Sequence, residues 1–412
     1  MTGPRPASGP GLEEALREHW WAAVAVIARR CGDLEIAEDA VQEACAAAVA
    51  SWPEAGLPPS PRGWLITTAW HKAMDLMRRD ALRAGRESAA ARELAGAAVP
   101  SEAGDDELAL IFACCHPSLD PAVRVALTLR AVCGLSTAEI AAAFVLPEAT
   151  LAQRLVRAKR KIRQAGISLT RPGPDALAGR LAAVLRVIYL VFTEGHQATA
   201  GAALVRPDLC DQAVRLARAL HARLPGEPEV TGLLALLLLT DARRDARTGP
   251  DGGLVLLADQ DRSRWDGARI GEGEALTEAA LRAGRPGPYQ LHAAIAACHS
   301  TAATAQDTDW PQIAALYGEL ARHEPTPVVL ANQAVAIAMA EGPQAGLDIL
   351  DRLAGTGRLD RWPQLHVARA ELLRRLGRAD AAEASYHRAL AGDMSLAERY
   401  HLQARLAEVS RR

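Results

Sequence analysis

An all-α protein is predicted from three observations. Half of the 412 residues are hydrophobic, yet only 4% are aromatic. Ala and Leu supply most of that apolar surface, and neither loses much rotamer freedom in a helix. Strands would need more Val, Ile, Thr and aromatic residues than the chain offers. Third, where apolar residues recur in the first 170 positions, they do so at helical spacing.

Residues 1–11 are Pro/Gly-rich and lack a basic start followed by an apolar stretch, so they do not read as a signal peptide. The most apolar run, Leu233 to Leu239, is far too short for a membrane span. The seven cysteines are odd in number and scattered, which suits reduced, buried thiols rather than a disulfide framework. A cytoplasmic protein without a membrane partner is expected. The formal net charge is −2, so any attraction to nucleic acid must come from local patches. Only three of the 47 basic residues are lysines, Lys72, Lys159 and Lys161. Arginine richness alone is therefore a compositional habit and weak grounds for phosphate binding.

Residues 12–83 read as a first helical unit, with Trp20, Trp21, Trp52, Trp64 and Trp70. Asp33, Glu35, Glu38, Asp39 and Glu43 make one of its helices acidic. Ala37, Ala40, Val41 and Ala44 form the buried side, leaving Asp39, Gln42 and Glu43 on one exposed face. Such a face repels DNA and suits a protein partner with a basic surface, although the pattern taken alone favours a merely solvated charged face. After the Pro-rich stretch 53–61, Trp64-Leu65 opens a helix that runs through Trp70, His71, Lys72 and Asp75 to Arg78 and Arg79. Rings interleaved with cations suit single-stranded DNA, where bases stack and phosphates are tracked. Trp64 could instead be core.

Residues 84–106 are small and polar and read as a linker. Residues 107–170 form a second helical unit with the strongest motif. Ser136-Thr137-Ala138-Glu139 is a capping box that starts one helix, and Val145-Leu146-Pro147 makes a short turn. In the next helix Leu151, Leu155, Ala158 and Ile162 make a buried stripe, opposite Thr150, Gln153, Arg154, Arg157 and Lys161. From Arg154 to Arg163 six of ten residues are basic and none is acidic. This is the pattern of a helix-turn-helix whose second helix enters the major groove. Cys114-Cys115-His116 supplies a poor start for a zinc site, and buried thiols are the simpler reading.

Arg171-Pro172-Gly173-Pro174 breaks the chain, and residues 176–412 are Ala/Leu-rich helix patterns. Residues 332–350 and 367–385 align at a shift of 35, matching Gly342 to Gly377, close to the tetratricopeptide period. Ordinary antiparallel helix packing would give a similar match. The run Asp259-Gln260-Asp261-Arg262-Ser263-Arg264-Trp265-Asp266 alternates acid, base and Trp. It fits an ion-pair knot that pins a loop, or a contact surface holding the extension to the DNA-binding units.

With these motifs in view, the chain resembles the extracytoplasmic-function sigma factors of bacterial RNA polymerase. Residues 37–43 look like their polymerase-binding helix. Trp64-Leu65, Asp75 and Arg78-Arg79 look like the helix that melts and reads the −10 promoter element. Residues 134–163 look like the −35 helix-turn-helix. Two positions depart from the pattern: His71 stands where Asn is usual, and Pro147 where a capping Ser is common. Cys114-Cys115-His116-Pro117, Leu129-Arg130, residues 188–192 and residues 259–266 are similar to the subgroup with a C-terminal tetratricopeptide-like extension, encoded beside DGPF (YCII-related) proteins.

The resemblance implies a polymerase-binding set Glu38, Asp39, Gln42 and Glu43. It implies a −10 set Trp64, Trp70, His71, Lys72, Arg78 and Arg79, and a −35 set Thr150, Gln153, Arg154, Arg157 and Lys161. Its partners would be core RNA polymerase, through the clamp and flap regions, and promoter DNA. A regulator held by the extension would be a further one. No cofactor, metal or enzymatic activity is expected. A helix-turn-helix regulator that binds duplex DNA without joining polymerase would leave residues 12–83 without a purpose. An enzyme using Glu194, His196, Asp259, Asp261 and His292 would lack nucleophile, phosphate-loop or metal-ligand spacing.

Overall fold

The computed structural model describes residues 10–83, 105–132, 134–144, 146–169, 173–197, 205–249, 253–360, 362–392, 394 and 396–411. Among them eighteen α-helices carry the fold, and extended pairing is limited to one isolated antiparallel bridge, Thr248 with Leu254. The all-α expectation holds. The chain divides into two compact units, 1–191 and 192–412.

In the first unit, α1 (Pro10–Cys31), α2 (Leu34–Ala55) and α3 (Pro61–Arg83) pack on one another. Asp33 caps α2, accepting hydrogen bonds from the backbone N–H of Glu35 at 2.8 Å and Ile36 at 3.3 Å. Ala37, Ala40, Val41 and Ala44 are buried, as their spacing requires. Most of the expected linker, 84–104, lies outside the described residues. Its end does not: helix α4 (Asp105–Cys114) already begins at Asp105. Asp106, read from composition as the end of the linker, is buried and its Oδ1 meets Arg29 Nε of α1 at 2.5 Å. The ion pair and the apolar run Leu108 to Ala113 explain why a polar-looking stretch turns helical there: both anchor it to α1.

Helices α5 (Pro121–Ala131), α6 (Thr137–Ala143) and α7 (Glu148–Gln164) follow. Gly134 joins this group to α1. Its φ is +77°, a region L side chains rarely adopt, and a Cβ there would overlap the indole of Trp21. Trp21 is buried and edge-on to Trp20, with centroids 5.6 Å apart. Helix α8 (Pro174–His196) starts in the first unit, where Arg180 Nη1 donates to the Phe112 carbonyl at 3.2 Å.

The second unit is built from α9 (Pro207–Arg223), α10 (Pro228–Asp241), α11 (Gly267–Leu281), α12 (Pro288–Thr301), α13 (Trp310–His323), α14 (Pro327–Glu341), α15 (Pro343–Gly355), α16 (Pro363–Arg375), α17 (Ala379–Leu390) and α18 (Leu396–Val409). Helix α10 is apolar on every side because α9, α11 and α12 cover it, which accounts for the run Leu233 to Leu239. No helix among the described residues is long and apolar enough to cross a membrane. From α13 onward sequential helices pack in pairs. The aligned glycines Gly342 and Gly377 both have positive φ, +115° and +72°, in the turns before α15 and α17. Around the second of these turns Leu347, Leu350, Leu373, Ala382 and Tyr386 share one core.

Candidate nucleic-acid interface

The helix-turn-helix is assembled from the bonds its sequence promises. Ser136 Oγ accepts from Glu139 N–H at 3.1 Å, and Glu139 Oε2 accepts from Ser136 N–H at 2.7 Å. This reciprocal cap starts α6. Arg130 Nη1 donates to the Leu135 carbonyl at 3.1 Å and secures the chain just before the cap. Pro147, extended at φ −60° and ψ 134°, precedes α7 without a side-chain cap. Leu151, Leu155, Ala158 and Ile162 of α7 are buried. Full burial of each larger member is worth roughly 1.5–3 kcal/mol.

Opposite that stripe Gln153, Arg154 and Arg157 are exposed, and Thr150 is half-buried. Lys161 is exposed, and its Nζ donates to the Ser118 carbonyl. Val156 and Arg160, which the sequence pattern did not single out, are also exposed, Val156 by 52%. An uncovered β-branched side chain beside Gln153 and Arg157 can contact a thymine methyl, while the polar pair reaches base edges. The signal was available: Val156 falls off the 151-155-158-162 stripe.

The cations on the edge of α7 meet α2. Lys159 Nζ lies 2.8 Å from Glu38 Oε2, with both side chains at most 15% exposed. Arg163 Nη1 lies 3.2 Å from Asp33 Oδ2 and 3.4 Å from Glu35 Oε2. The acidic face of α2 is therefore divided. Glu38 turns toward α7, Glu43 meets Lys72 of α3 at 3.4 Å, and Asp39 and Gln42 stand exposed.

On α3 the two tryptophans are not neighbours. Six residues apart on an α-helix means about 240° of rotation. Trp64 packs edge-on against buried Trp52 at 5.3 Å, whereas Trp70 lies under Arg30, whose Cζ is 5.5 Å from the ring centroid. Each ring is half-buried. His71, Arg78 and Arg79 are exposed, and Arg78 Nη1 lies 3.5 Å from Asp75 Oδ1.

The acid-base-Trp run of the second unit closes on itself. Asp261 Oδ1 accepts from Ser263 N–H at 3.0 Å and from Ser263 Oγ at 2.7 Å. Gln260 Nε2 donates to the Val255 carbonyl at 3.2 Å. Arg262 donates to the His299 carbonyl at 3.0 Å, and its Cζ lies 4.3 Å from the buried Trp265 ring. Asp266 caps α11 through Ala268 and Arg269 N–H groups at 3.0 and 3.1 Å. Asp259, Ser263 and Arg264 are exposed. The geometry is that of a loop knot that launches α11.

Among the described residues no group of three His, Cys, Asp or Glu side chains is arranged to hold a metal. Cys114 and Cys115 are buried, and burial pushes the Cys115 thiol up to about 12. His116 Nδ1 is instead 2.8 Å from Ser118 Oγ. Two members of the enzyme reading have separate structural roles. His196 is engaged by Arg247, and Asp261 caps a turn.

A cationic helix-turn-helix packed with a separate bundle that bears an acidic helix is the geometry of a DNA-binding protein. Residues 17–83 match the model of sigma-70 region 2, and residues 109–162 that of sigma-70, region 4. Residues 180–281 match a family of unknown function (DUF6596). The chain is 41% identical over 396 residues to the uncharacterized protein R00370 of Rhizobium meliloti (strain 1021), covering 93% of this chain and 92% of that protein. No solved structure matches. The chain belongs to the sigma-70 family of transcription initiation factors, whose regions 2 and 4 bind core RNA polymerase and promoter DNA without catalysing a reaction of their own.

Proposed function

We propose that this sigma factor is of the extracytoplasmic-function type, acts in the cytoplasm, and carries a tetratricopeptide-like extension that modulates it in cis. In this reading residues 12–83 hold the polymerase clamp and the −10 strand, 84–106 link, 107–170 read the −35 duplex and 176–412 regulate. The observation that carries the DNA-reading part is the exposed Gln153, Arg154 and Arg157 face on a helix whose opposite stripe is buried. Arg and Gln reach base edges in the major groove, and Thr150 and Lys161 flank them. Asp39 and Gln42, exposed on α2, serve as the polymerase contact, with Glu38 and Glu43 beside them. His71, Lys72, Arg78 and Arg79 track the opened strand, and Trp64 and Trp70 support its bases.

The mechanism is positional. A −10 base leaves the stack at a cost of a few kcal/mol, which stacking and pocket contacts must offset. Reading −10 and −35 elements together also requires separation. With 3.4 Å of rise per base pair, two turns of duplex span roughly 70 Å. The Lys159–Glu38 and Arg163–Asp33 pairs hold α7 beside α2, so both must open when polymerase and promoter are engaged.

The test is co-purification of the full chain with core polymerase followed by run-off transcription, repeated with chains ending at Arg171 and at Gln197. The longer truncation retains α8 and its Arg180 contact to Phe112. Regulation in cis is expected to change promoter-specific transcript yield in both truncations. Equal transcription by all three chains would contradict the role given to the extension.

A further inference from the structure

In the second unit, two groups of arginines stand out on the turn after α10, in the following loop and at the start of α11. Arg244 and Arg269 are neutralised. Arg244 Nε lies 2.8 Å from Asp241 Oδ1 and its Nη2 lies 2.7 Å from Asp211 Oδ1. Arg269 pairs with the same Asp241 and, at 3.3 Å, with Asp266. These bonds occupy Asp211, Asp241 and Asp266.

Arg243, Arg247 and Arg262 make the second group. Arg243 and Arg262 both face Trp265, with Cζ atoms 5.9 and 4.3 Å from the ring centroid. Arg247 Nη1 donates to His196 Nε2. All three arginines are half-buried, and none forms an ion pair among the described residues. The carboxylates whose field reaches them are peripheral and engaged elsewhere. Glu398, felt by Arg247, accepts from Gln197 Nε2 at 2.7 Å. Asp307, felt by Arg262, accepts from Thr304 Oγ1 at 2.7 Å. Burial and the like charges of Arg247 and Arg262 push the Arg243 guanidinium down to about 10. Burial together with neighbouring arginines lowers His196 to about 2 and His299 to about 4.

Hydrogen-bond demand tells the same story independently. Arg243 Nε, Arg247 Nε, Trp265 Nε1 and His196 Nδ1 are buried without a partner. Because His196 Nε2 accepts from Arg247, the proton of the neutral ring sits on Nδ1, so all four are donors. Gln260 Oε1 is also unpartnered, and an amide can present either end. Buried donors normally find acceptors, and a buried cation without a counter-charge is costly. An acceptor-rich, negatively charged group would satisfy both demands, since a guanidinium fork matches phosphate and carboxylate oxygens.

We propose that Arg243, Arg247 and Arg262, with His196 and Trp265, form a binding site for a small oxyanion bearing a phosphate or carboxylate group. The site lies in the second unit and stands whatever the extension does to transcription.

Thermal unfolding of the full chain in chloride, compared at matched ionic strength with inorganic phosphate and with succinate, tests it and separates the two chemistries. One of the anions is expected to raise the midpoint by roughly 2–4 °C or more at saturation. That shift should disappear in Arg243→Met and shrink in Arg243→Lys, which keeps the charge but loses the fork. It should persist in Arg154→Ala, which removes a DNA-facing cation, and in Arg282→Ala, a surface arginine paired with Glu278. An absence of any anion-specific shift in the native chain overturns the proposal, whether or not the variants fold. So does a shift retained by Arg243→Met or lost only in Arg154→Ala.

Discussion

Helix α7 and the turn 243–247 are both dense in arginine, yet they meet their surroundings differently. On α7, Arg154, Arg157 and Arg160 project into solvent, while Lys159 and Arg163 at the helix edge find carboxylates on α2. On the turn, Arg244 pairs with Asp241 and Asp211, and Arg243 and Arg247 sit half-buried with donors unmet. Arginine is abundant in both places, so arginine content does not assign function. What separates them is hydration. A solvated guanidinium is available to phosphates and base edges at little cost, whereas a desolvated one demands a counter-charge. The first arrangement suits a long polyanion that docks from outside, and the second a small anion that enters.

The comparison breaks most readily at Gly134. Gly134→Ala must hold φ +77° and displace the buried Trp21 ring, so a loss of about 2–5 kcal/mol in urea unfolding is expected. A change below about 0.5 kcal/mol would mean that the packing of the helix-turn-helix on α1 is not as described. Next in size, Lys159→Ala leaves Glu38 nearly buried without its partner. It should cost about 1–3 kcal/mol, less than a fully buried pair because both groups keep some exposure. Adding Glu38→Gln should recover most of the loss, and a double-mutant cycle without coupling would remove the pair from the account.

The solvated side is sharpened by Arg154→Ala. It should reduce discrimination at the −35 element by about 1–3 kcal/mol in competition binding, with folding stability changed by less than about 0.5 kcal/mol. Asp39→Ala should weaken polymerase binding by about 1 kcal/mol without altering DNA preference. The same defect from both substitutions would erase the division of labour.

A further expected effect is a pH dependence, read as a slope rather than as a single loss. Neutral in the fold down to about 4, His299 binds fewer protons than its unfolded counterpart between pH 4 and 6.5. Stability should therefore fall on acidification through that window, by at most about 1.4 kcal/mol per pH unit for this group. His196 extends the same sign down to about pH 2. Replacing His299 with Gln should flatten the slope between pH 4 and 6.5, and an unchanged slope would contradict its burial beside Arg243 and Arg262.

The helix-turn-helix was legible because each of its determinants is local. Ser136 and Glu139 are three residues apart and cap each other, and the buried stripe of α7 recurs at helical spacing. The acidic face of α2 was legible as a face, but not its division between Lys159, Lys72 and solvent, because those partners are distant in sequence. Trp64 and Trp70 read together as rings suited to single-stranded DNA, with a core role open for Trp64. Helical rotation sends one to Trp52 and the other to Arg30. Asp106 read as linker because its small polar neighbours hide an ion pair with Arg29. The arginine group around Trp265 was half visible. The run 259–266 supplied Arg262 and Trp265, while Arg243, Arg247 and His196 come from other elements and arrive only through folding.

Run-off transcription by core RNA polymerase supplemented with the purified full chain, on templates spanning its native start sites, tests the central claim most directly. Discrete transcripts that depend on the added chain, and that decline with Arg154→Ala on −35-dependent templates, are the expected result. A chain that binds duplex DNA yet neither joins polymerase nor yields a transcript from any native template would contradict the account.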